Sequence, residues 1–442
     1  MYYSFKKICF LTITSLSLSF ISCSSEYDID NEGLTVAQKS LSAGFNSDTR
    51  SYEEALTIAQ NSISMVESSD NLTRSTSKHR SINEKGGVFT VSSSSTSTRT
   101  GNAANDTLLY VFNFNDDQGF AVVSANRNTE GLLAVTESGF YCPNKETGIL
   151  GFDMYMKMAK DYVRNSNVSL LTTRGGTYNY WKGQNDTLEY SRVEPKVPVT
   201  WGQNGIAGSY CSNYTAGCGP IAMAQIMSYY QQPTTFRYTF GNRDINSENV
   251  NWNTINQHVK TEIHPEPICF GNSGLDKTIG RICRELGIKS HSDYRSNGKT
   301  YTGQGSMYDV LTYYNYKVSG FHSLSEIDNN FLSDLQTNRL ILMNGYNQAG
   351  EGHYWLVDGI IYYKVHTTRW TSQDGINWTV LWDEIANLDY NHINWGYDSF
   401  CNGFFLGFNA NSAKSYDPDN TYNQLYGDYD FYRNLLYTLV YY

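Results

Sequence analysis

From Val197 onward the chain carries its helical stretches first and its strands afterwards, and this order constrains the fold more than any bulk property. "GCGPIAMAQIMSYY" and the stretches Leu275–Leu286 and Ser325–Gln336 have helical spacing. After them, "RLILMNGY", "HYWLVDGIIYY", "HINWGY" and "GFFLGF" read as buried strands. Helices and strands segregated in this way define an α+β domain. The N-terminal half repeats the theme on a smaller scale. Residues 51–69 read as a helix, with Ser51 and Glu54 as a capping box and Ala55, Ile58, Ala59, Ile63 and Val66 on one face. "LLYVFNF" and "FAVVSA" read as strands about the turn "NDDQG"; "GLLAVTESGFY" reads as a further strand and "GFDMYMKMAKDYVRN" as a helix. At 442 residues the chain exceeds one ordinary core. The reading is therefore a small α+β unit over 51–170, an irregular polar linker over 171–194, and a larger α+β domain over 195–442. Exposed linkers are where proteases cut.

Charge removes one class of partner. The formal net charge is −10 and no long basic run occurs, so nucleic acid is not an expected partner. The N-terminus points elsewhere. Lys6 and Lys7 precede the apolar "ICFLTITSLSLSFI", which ends at "SCSS". The segment resembles a bacterial lipoprotein signal, with residues 1–22 removed, Cys23 carrying lipid and 23–50 serving as a tether. That implies a membrane partner through the N-terminal anchor and a place in the bacterial cell envelope, as an outer-membrane lipoprotein facing periplasm or surface. An ordinary secretory signal with an incidental cysteine is the alternative.

The chemistry centres on a cysteine. Of eight cysteines, Cys9 and Cys23 belong to the leader and Cys142 stands alone. Cys211, Cys218, Cys269, Cys283 and Cys401 form an odd set in the C-terminal half, without zinc spacing. Cys218 sits between two glycines at the mouth of a helix, where Gly217 permits a sharp turn and Pro220 suits the first turn. Unpaired N–H groups and the helix dipole there favour thiolate and could hold an oxyanion. Taken alone, Cys218 reads equally as a small packed side chain. A nucleophilic thiolate needs a base and the base an orienter. His353, about 135 positions later, is the candidate base. Asn394 is the candidate orienter, with Trp395 screening the pair from water. Gln203 in "VPVTWGQNG" supplies an amide donor for an oxyanion. His353 alone could be a satisfied core histidine. His392 is a rival that would need another orienter.

"WGQ", "GCGPIAMAQIMSYY", "GHYWLVDG" and "NWGYDSFCNGFF" occur in the order found in the streptopain-like cysteine peptidases, a family similar to papain in fold. The usual Gly-Cys-Val-Ala-Thr-Ala of that family is "GCGPIA" here, which keeps the nucleophile. "GFAVVSANRNTEGLLAVTESGFY" resembles the family's prodomain. The resemblance implies a papain-like two-subdomain catalytic domain behind a small α+β prodomain, made as a zymogen. It implies peptide or protein substrates, the chain's own prodomain as inhibitor, and neither metal nor organic cofactor. The prodomain would cover the cleft with its sheet near His353, and maturation would fall in the linker around Arg174. A silent peptidase fold that binds peptides or inhibits a related protease, and another papain-fold acyl transfer, are the competing readings.

Overall fold

In a computed structural model of the chain, residues 49–70, 79–84, 87–92, 107–127, 129–143, 145, 147–165, 180–240, 243–261, 274–323, 330–347, 350–407 and 435–442 are described. The leader, Cys23, Arg174 and Cys269 lie outside them.

The first unit opens with helix α1 (Tyr52–Asp70). Its start is set by the expected capping box: Ser51 N–H donates to Glu54 Oε2 (2.7 Å) and Glu54 N–H donates to Ser51 Oγ (3.3 Å). Ala55, Ala59, Ile63 and Val66 are buried on the face read from their spacing. That face lies on an antiparallel sheet of β1 (Val88–Ser92), β2 (Thr107–Asn113), β3 (Phe120–Ser124) and β4 (Leu132–Thr136). Helix α2 (Leu150–Asn165) follows and buries Phe152, Tyr155, Met156, Ala159 and Val163.

The segment expected to be an irregular linker is a strand from Tyr180 onward. β5 (Tyr180–Val193) pairs antiparallel with the far half of a long later strand, from Ile360↔Val193 to Ser372↔Tyr180. Its side chains from Lys182 to Tyr190 are exposed, so no apolar alternation marks it. The backbone ladder that holds it leaves no trace in side-chain pattern.

The second unit places helices first, as its sequence order requires: α3 (Gly205–Gly208), α4 (Cys218–Tyr230), the hairpin β6 (Thr235–Phe240) and β7 (Arg243–Asn249), α5 (Trp252–Thr261) and α6 (Gly274–Lys289). The small hairpin β8 (Asp293–Tyr294) and β9 (Thr300–Tyr301), α7 (Gln304–Tyr313), the short strands β10 (Lys317–Val318) and β11 (His322–Ser323), and α8 (Phe331–Gln336) come next. The strands β12 (Leu340–Tyr346), β13 (Gly352–Ser372), β14 (Thr379–Asn394), β15 (Gly403–Leu406) and β16 (Leu436–Tyr441) complete it. Helix α4 is buried without interruption from Gly219 to Ser228, as expected of a helix apolar all round.

One sheet joins both units, in the order β1-β2-β3-β4-β15-β14-β13-β12-β16-β10. The junction is β4 against β15, with Gly403↔Thr136 and Phe405↔Ala134 in register. The pleat then assigns each face its cover. Leu340, Leu342, Tyr354 and Leu356 pack on the core built with α4, α6 and α7. Their alternates Ile341, Met343, Trp355 and Val357 pack into a continuous core with the first unit. Helices α4, α6 and α7 thus cover one side of the sheet, and the first unit together with α8 (Phe331 and Leu335) covers the other.

Candidate active site

Cys218 is the first residue of α4, preceded by Gly217 at φ +91°. That conformation suits glycine, and a Cβ there would stand 2.8 Å from Thr300 Cγ2. The thiol lies against the backbone N–H groups of Tyr354, Gly219 and Cys218 itself. Burial pushes its pKa above the usual value, and the three N–H contacts oppose that rise without cancelling it. The helix mouth was expected to favour thiolate; here desolvation wins.

His353 follows Gly352 at the start of β13 and is 2% exposed. Its ring stacks on Trp355 (centroids 6.1 Å apart, 19° between planes) and leans on Tyr397 (5.5 Å). Nε2 meets the carbonyl oxygen of Trp395 at 2.9 Å. Burial pulls its pKa down to about 4, against the raising effect of that carbonyl, so the imidazole is neutral at ordinary pH. Donation to a carbonyl requires the proton on Nε2 and leaves Nδ1 with the lone pair. Among the described residues, Cys218 and His353 are not hydrogen-bonded to each other; each is held by backbone groups instead.

The first unit touches this histidine, though not with its sheet as expected. Gly151, in the first turn of α2, lies on both His353 and Trp395. A Cβ at Gly151 would fall 2.8 Å from His353 Cδ2 and 2.5 Å from Trp395 Cζ3. Glycine is required here by close approach.

Asn394 does not orient His353 directly. Its Oδ1 accepts from Gln225 Nε2 (3.2 Å) and Gly396 N (3.1 Å), and its Nδ2 donates to the Val199 carbonyl (3.1 Å). The cause is the pleat: Asn394 is in register with Leu356, whose side chain lies on the helix-covered face, while the imidazole stacks on Trp355 of the other face. The acceptor for His353 is the Trp395 backbone. Trp395 itself is 1% exposed, packs on Trp355, Phe152 and Phe405, and donates Nε1–H to the Cys401 carbonyl (3.0 Å).

Gln203 lies in the loop before α3. Its carbonyl accepts from Ala216 N (2.8 Å), which ties the loop to the approach of Cys218. Its side-chain amide reaches the Tyr397 hydroxyl. Asp398 Oδ1 accepts from Gly202 N (2.8 Å) and fixes the same loop. Burial pushes the Tyr397 phenol up to about 12, with Cys218 adding to the rise. Tyr397 therefore sits among Gln203, Cys218 and His353.

The rival histidine has its own orienter. His392 Nδ1 meets Asp358 Oδ1 at 2.6 Å, and Nε2 faces Glu137 of the first unit at 3.4 Å. Burial alone would lower its pKa, but the two carboxylates raise it to about 10. It is a charged tie between the units, not a base for Cys218. The remaining described cysteines, Cys142, Cys211, Cys283 and Cys401, form no disulfides.

Sequence reasoning missed Gln225, Tyr397, Asp398 and Asn402, whose Oδ1 accepts from Trp395 N (3.0 Å). A signal existed for Gln225, the one amide in the otherwise apolar "IAMAQIM". Tyr397, Asp398 and Asn402 lie inside "NWGYDSFCNGFF", but their roles were not legible there, because their partners are backbone groups or lie far away in sequence.

A helix that opens on a cysteine and packs against a sheet carrying a buried histidine is the type of arrangement cysteine peptidases use. The chain belongs to the Peptidase C10 family, whose model matches residues 185–405. Residues 47–163 match the Spi protease inhibitor family, so the first unit is a prodomain-like region. Streptopain of Streptococcus pyogenes serotype M1 is 23% identical over 336 residues, covering 67% of this chain and 73% of that protein. Streptopain of serotype M3 (strain SSI-1) matches to the same extent. A solved fragment of Prevotella intermedia prointerpain A, a cysteine-to-alanine mutant, is 16% identical with a TM-score of 0.45, covering 75% of this chain and 94% of that one. The α+β architecture with a preceding prodomain-like region is the one expected from the sequence.

Proposed function

We propose that this protein is the zymogen of a cysteine endopeptidase, exported and anchored through Cys23, whose cleft the first unit closes until the segment around Arg174 is cut. The observation that carries the reading is Gly151: α2 of the prodomain-like region presses on His353 and Trp395, while the thiol and imidazole stay neutral and apart.

Removal of the prodomain uncovers His353 and lets Nδ1 face Cys218. His353 then takes the Cys218 proton as the sulfur attacks the scissile carbonyl, forming the C–S bond. The Cys218 backbone N–H and the Gln203 amide hold the developing oxyanion. His353 returns the proton to the departing amine as the C–N bond breaks. Water, deprotonated by the same Nδ1, then cleaves the acyl-enzyme to acid and free thiol. The Trp395 carbonyl keeps the tautomer throughout. Peptides and proteins are the substrates, and the chain's residues suffice without metal or organic cofactor.

The test expresses residues from Ser24 onward, wild type beside Cys218→Ala, with casein and a thiol-directed epoxide. The expected result is a wild type that shortens at its N-terminus to near Arg174, digests casein and is blocked by the epoxide, beside an inert full-length mutant. A wild type that stays inert after the 166–179 segment is cut in trans would overturn the reading in favour of a peptide-binding lipoprotein.

A further inference from the structure

Gln225 lies seven residues after Cys218, two turns along α4, and is 1% exposed. It is the amide in an otherwise apolar, fully buried stretch, so its polar atoms need partners. Its Nε2 donates to Asn394 Oδ1 (3.2 Å) and to the Trp201 carbonyl (3.2 Å). Those two acceptors belong to the two loops that complete the site. Trp201 begins "WGQ", which carries Gln203. Asn394 begins "NWG", which carries the Trp395 carbonyl.

The contact with Asn394 bears on the histidine. Asn394 Oδ1 also accepts from Gly396 N–H (3.1 Å). Gly396 N and the Trp395 carbonyl belong to one peptide unit, which is planar and trans. Their N–H and C=O therefore point in opposite directions. Aiming the N–H at Asn394 aims the C=O away from it, where it meets His353 Nε2 (2.9 Å). Asn394 thus bears on the histidine through a peptide, and Gln225 bears on Asn394. The far face of the Asn394 amide is closed by donation to the Val199 carbonyl (3.1 Å), so the amide cannot turn over without losing bonds at both ends.

We propose that Gln225 is a positioning residue of the active site: it ties the helix of Cys218 to both the oxyanion loop and the peptide that sets the tautomer of His353. This rests on the peptidase reading above. Gln225 touches no reacting atom. It sets where Nδ1 stands relative to the thiol and where the Gln203 amide stands relative to the oxyanion, and both placements bear on the transition state more than on substrate binding.

The experiment compares wild type with Gln225→Met, similar in length and without hydrogen bonds, after maturation and active-site titration with the epoxide. Expected is a fall in kcat per titrated site on the order of 10- to 100-fold, a KM changed by less than about 2-fold, and a shifted acid limb of the pH profile. An ordinary packing role predicts a lower Tm and fewer titratable sites, with kcat per site and the acid limb unchanged; that result overturns the proposal. If Gln225→Met does not fold, Gln225→Glu replaces it. Ionised, its carboxylate faces two oxygens; protonated, it donates again. Its activity relative to wild type then rises as pH falls, and a flat ratio overturns the proposal. On the full-length Cys218→Ala chain, the ring nitrogens of 15N-labelled His353 provide an independent readout. The Nε2–H signal of that parent chain is expected to lose its hydrogen-bonded shift when Gln225→Met is added, and retention of that shift counts against the relay. An inactive wild type defeats the peptidase reading, whereas an active wild type with an unaltered Gln225→Met defeats only this inference.

Discussion

His353 on β13 and His392 on β14 are both buried, at 2% and 4% exposure, on neighbouring strands of one sheet. Yet they hold opposite charge states. His353 has aromatic rings and a carbonyl around it, and burial takes its pKa to about 4. His392 suffers the same burial, but Asp358 and Glu137 outweigh it and carry the pKa to about 10. Burial sets the starting penalty for a charged ring, and the neighbours decide whether the ring bears it. The difference divides the labour: a neutral imidazole is fit to become a base, and an imidazolium between carboxylates is fit to tie two units together.

The contrast can be broken most severely at His353, the base of the proposed mechanism. His353→Ala in the matured enzyme is expected to lower kcat by about 100- to 10,000-fold with little change in Tm, measured by casein hydrolysis and calorimetry. His392→Ala should do the reverse. It takes the imidazolium from Asp358, 1% exposed, and removes one of the three cations beside Glu137. The expected cost is about 3–5 kcal/mol of stability, read by urea unfolding of the full-length Cys218→Ala chain. A His392→Ala chain as stable as its parent would show that the Asp358–His392–Glu137 cluster contributes nothing net.

Acid tests the same contrast without mutation. His353 binds its proton more weakly in the closed form, about 4 against an ordinary 6.5. The closed form therefore has its full advantage above pH 6.5 and loses it as pH falls towards 4. The Glu137 carboxyl is held below the usual range, because His392, Arg80 and Arg192 outweigh its burial. Its contribution likewise holds above its ordinary pKa and is lost in more acid solution. Full-length Cys218→Ala should become more accessible to an added protease between pH 6.5 and 4, with a loss on the order of 3 kcal/mol; constant accessibility would refute the neutral-histidine account. The His392 contribution runs the other way, full below pH 6.5 and fading towards 10.

Gly151→Ala sharpens the picture locally. The added methyl meets Trp395 and His353 within 2.8 Å and should weaken the hold of the first unit by about 1–3 kcal/mol, seen as faster maturation. Unchanged maturation would mean that α2 does not gate the histidine. The smallest effect belongs to a third histidine. His366 meets Asp383 at 2.5 Å in the open, and His366→Gln should change stability by no more than about 0.5 kcal/mol. Set beside His392, it isolates what burial adds to the same pairing.

Much of the frame was legible before any coordinates. The Ser51/Glu54 capping box, strands β2, β3 and β4, the Gly217–Cys218 start of α4 and the α+β order of the second unit all follow from local chemistry and spacing, whereas β1 (Val88–Ser92) runs into the Ser/Thr-rich stretch that reads as a loop. β5 was not legible, because its side chains face water and its partner strand lies far along the chain. The orienter of His353 was not legible either. Asn394 has the right residue type, but the pleat sends its amide towards Gln225, and the group that meets His353 is a carbonyl that every residue possesses.

Side-chain chemistry and short-range spacing picked out the residues able to react: a thiol at a helix mouth, an imidazole at the head of a buried strand, amides in two loops. These are properties of side chains and of short-range periodicity. Their charge and orientation came from the packing of distant segments. It buried one histidine among rings and the other between carboxylates, set Gly151 against the first, and turned the Trp395 peptide towards it. Charge state and orientation depend on desolvation and on partners brought in from distant positions, such as Glu137 beside His392, and those are fixed only when the sheet closes.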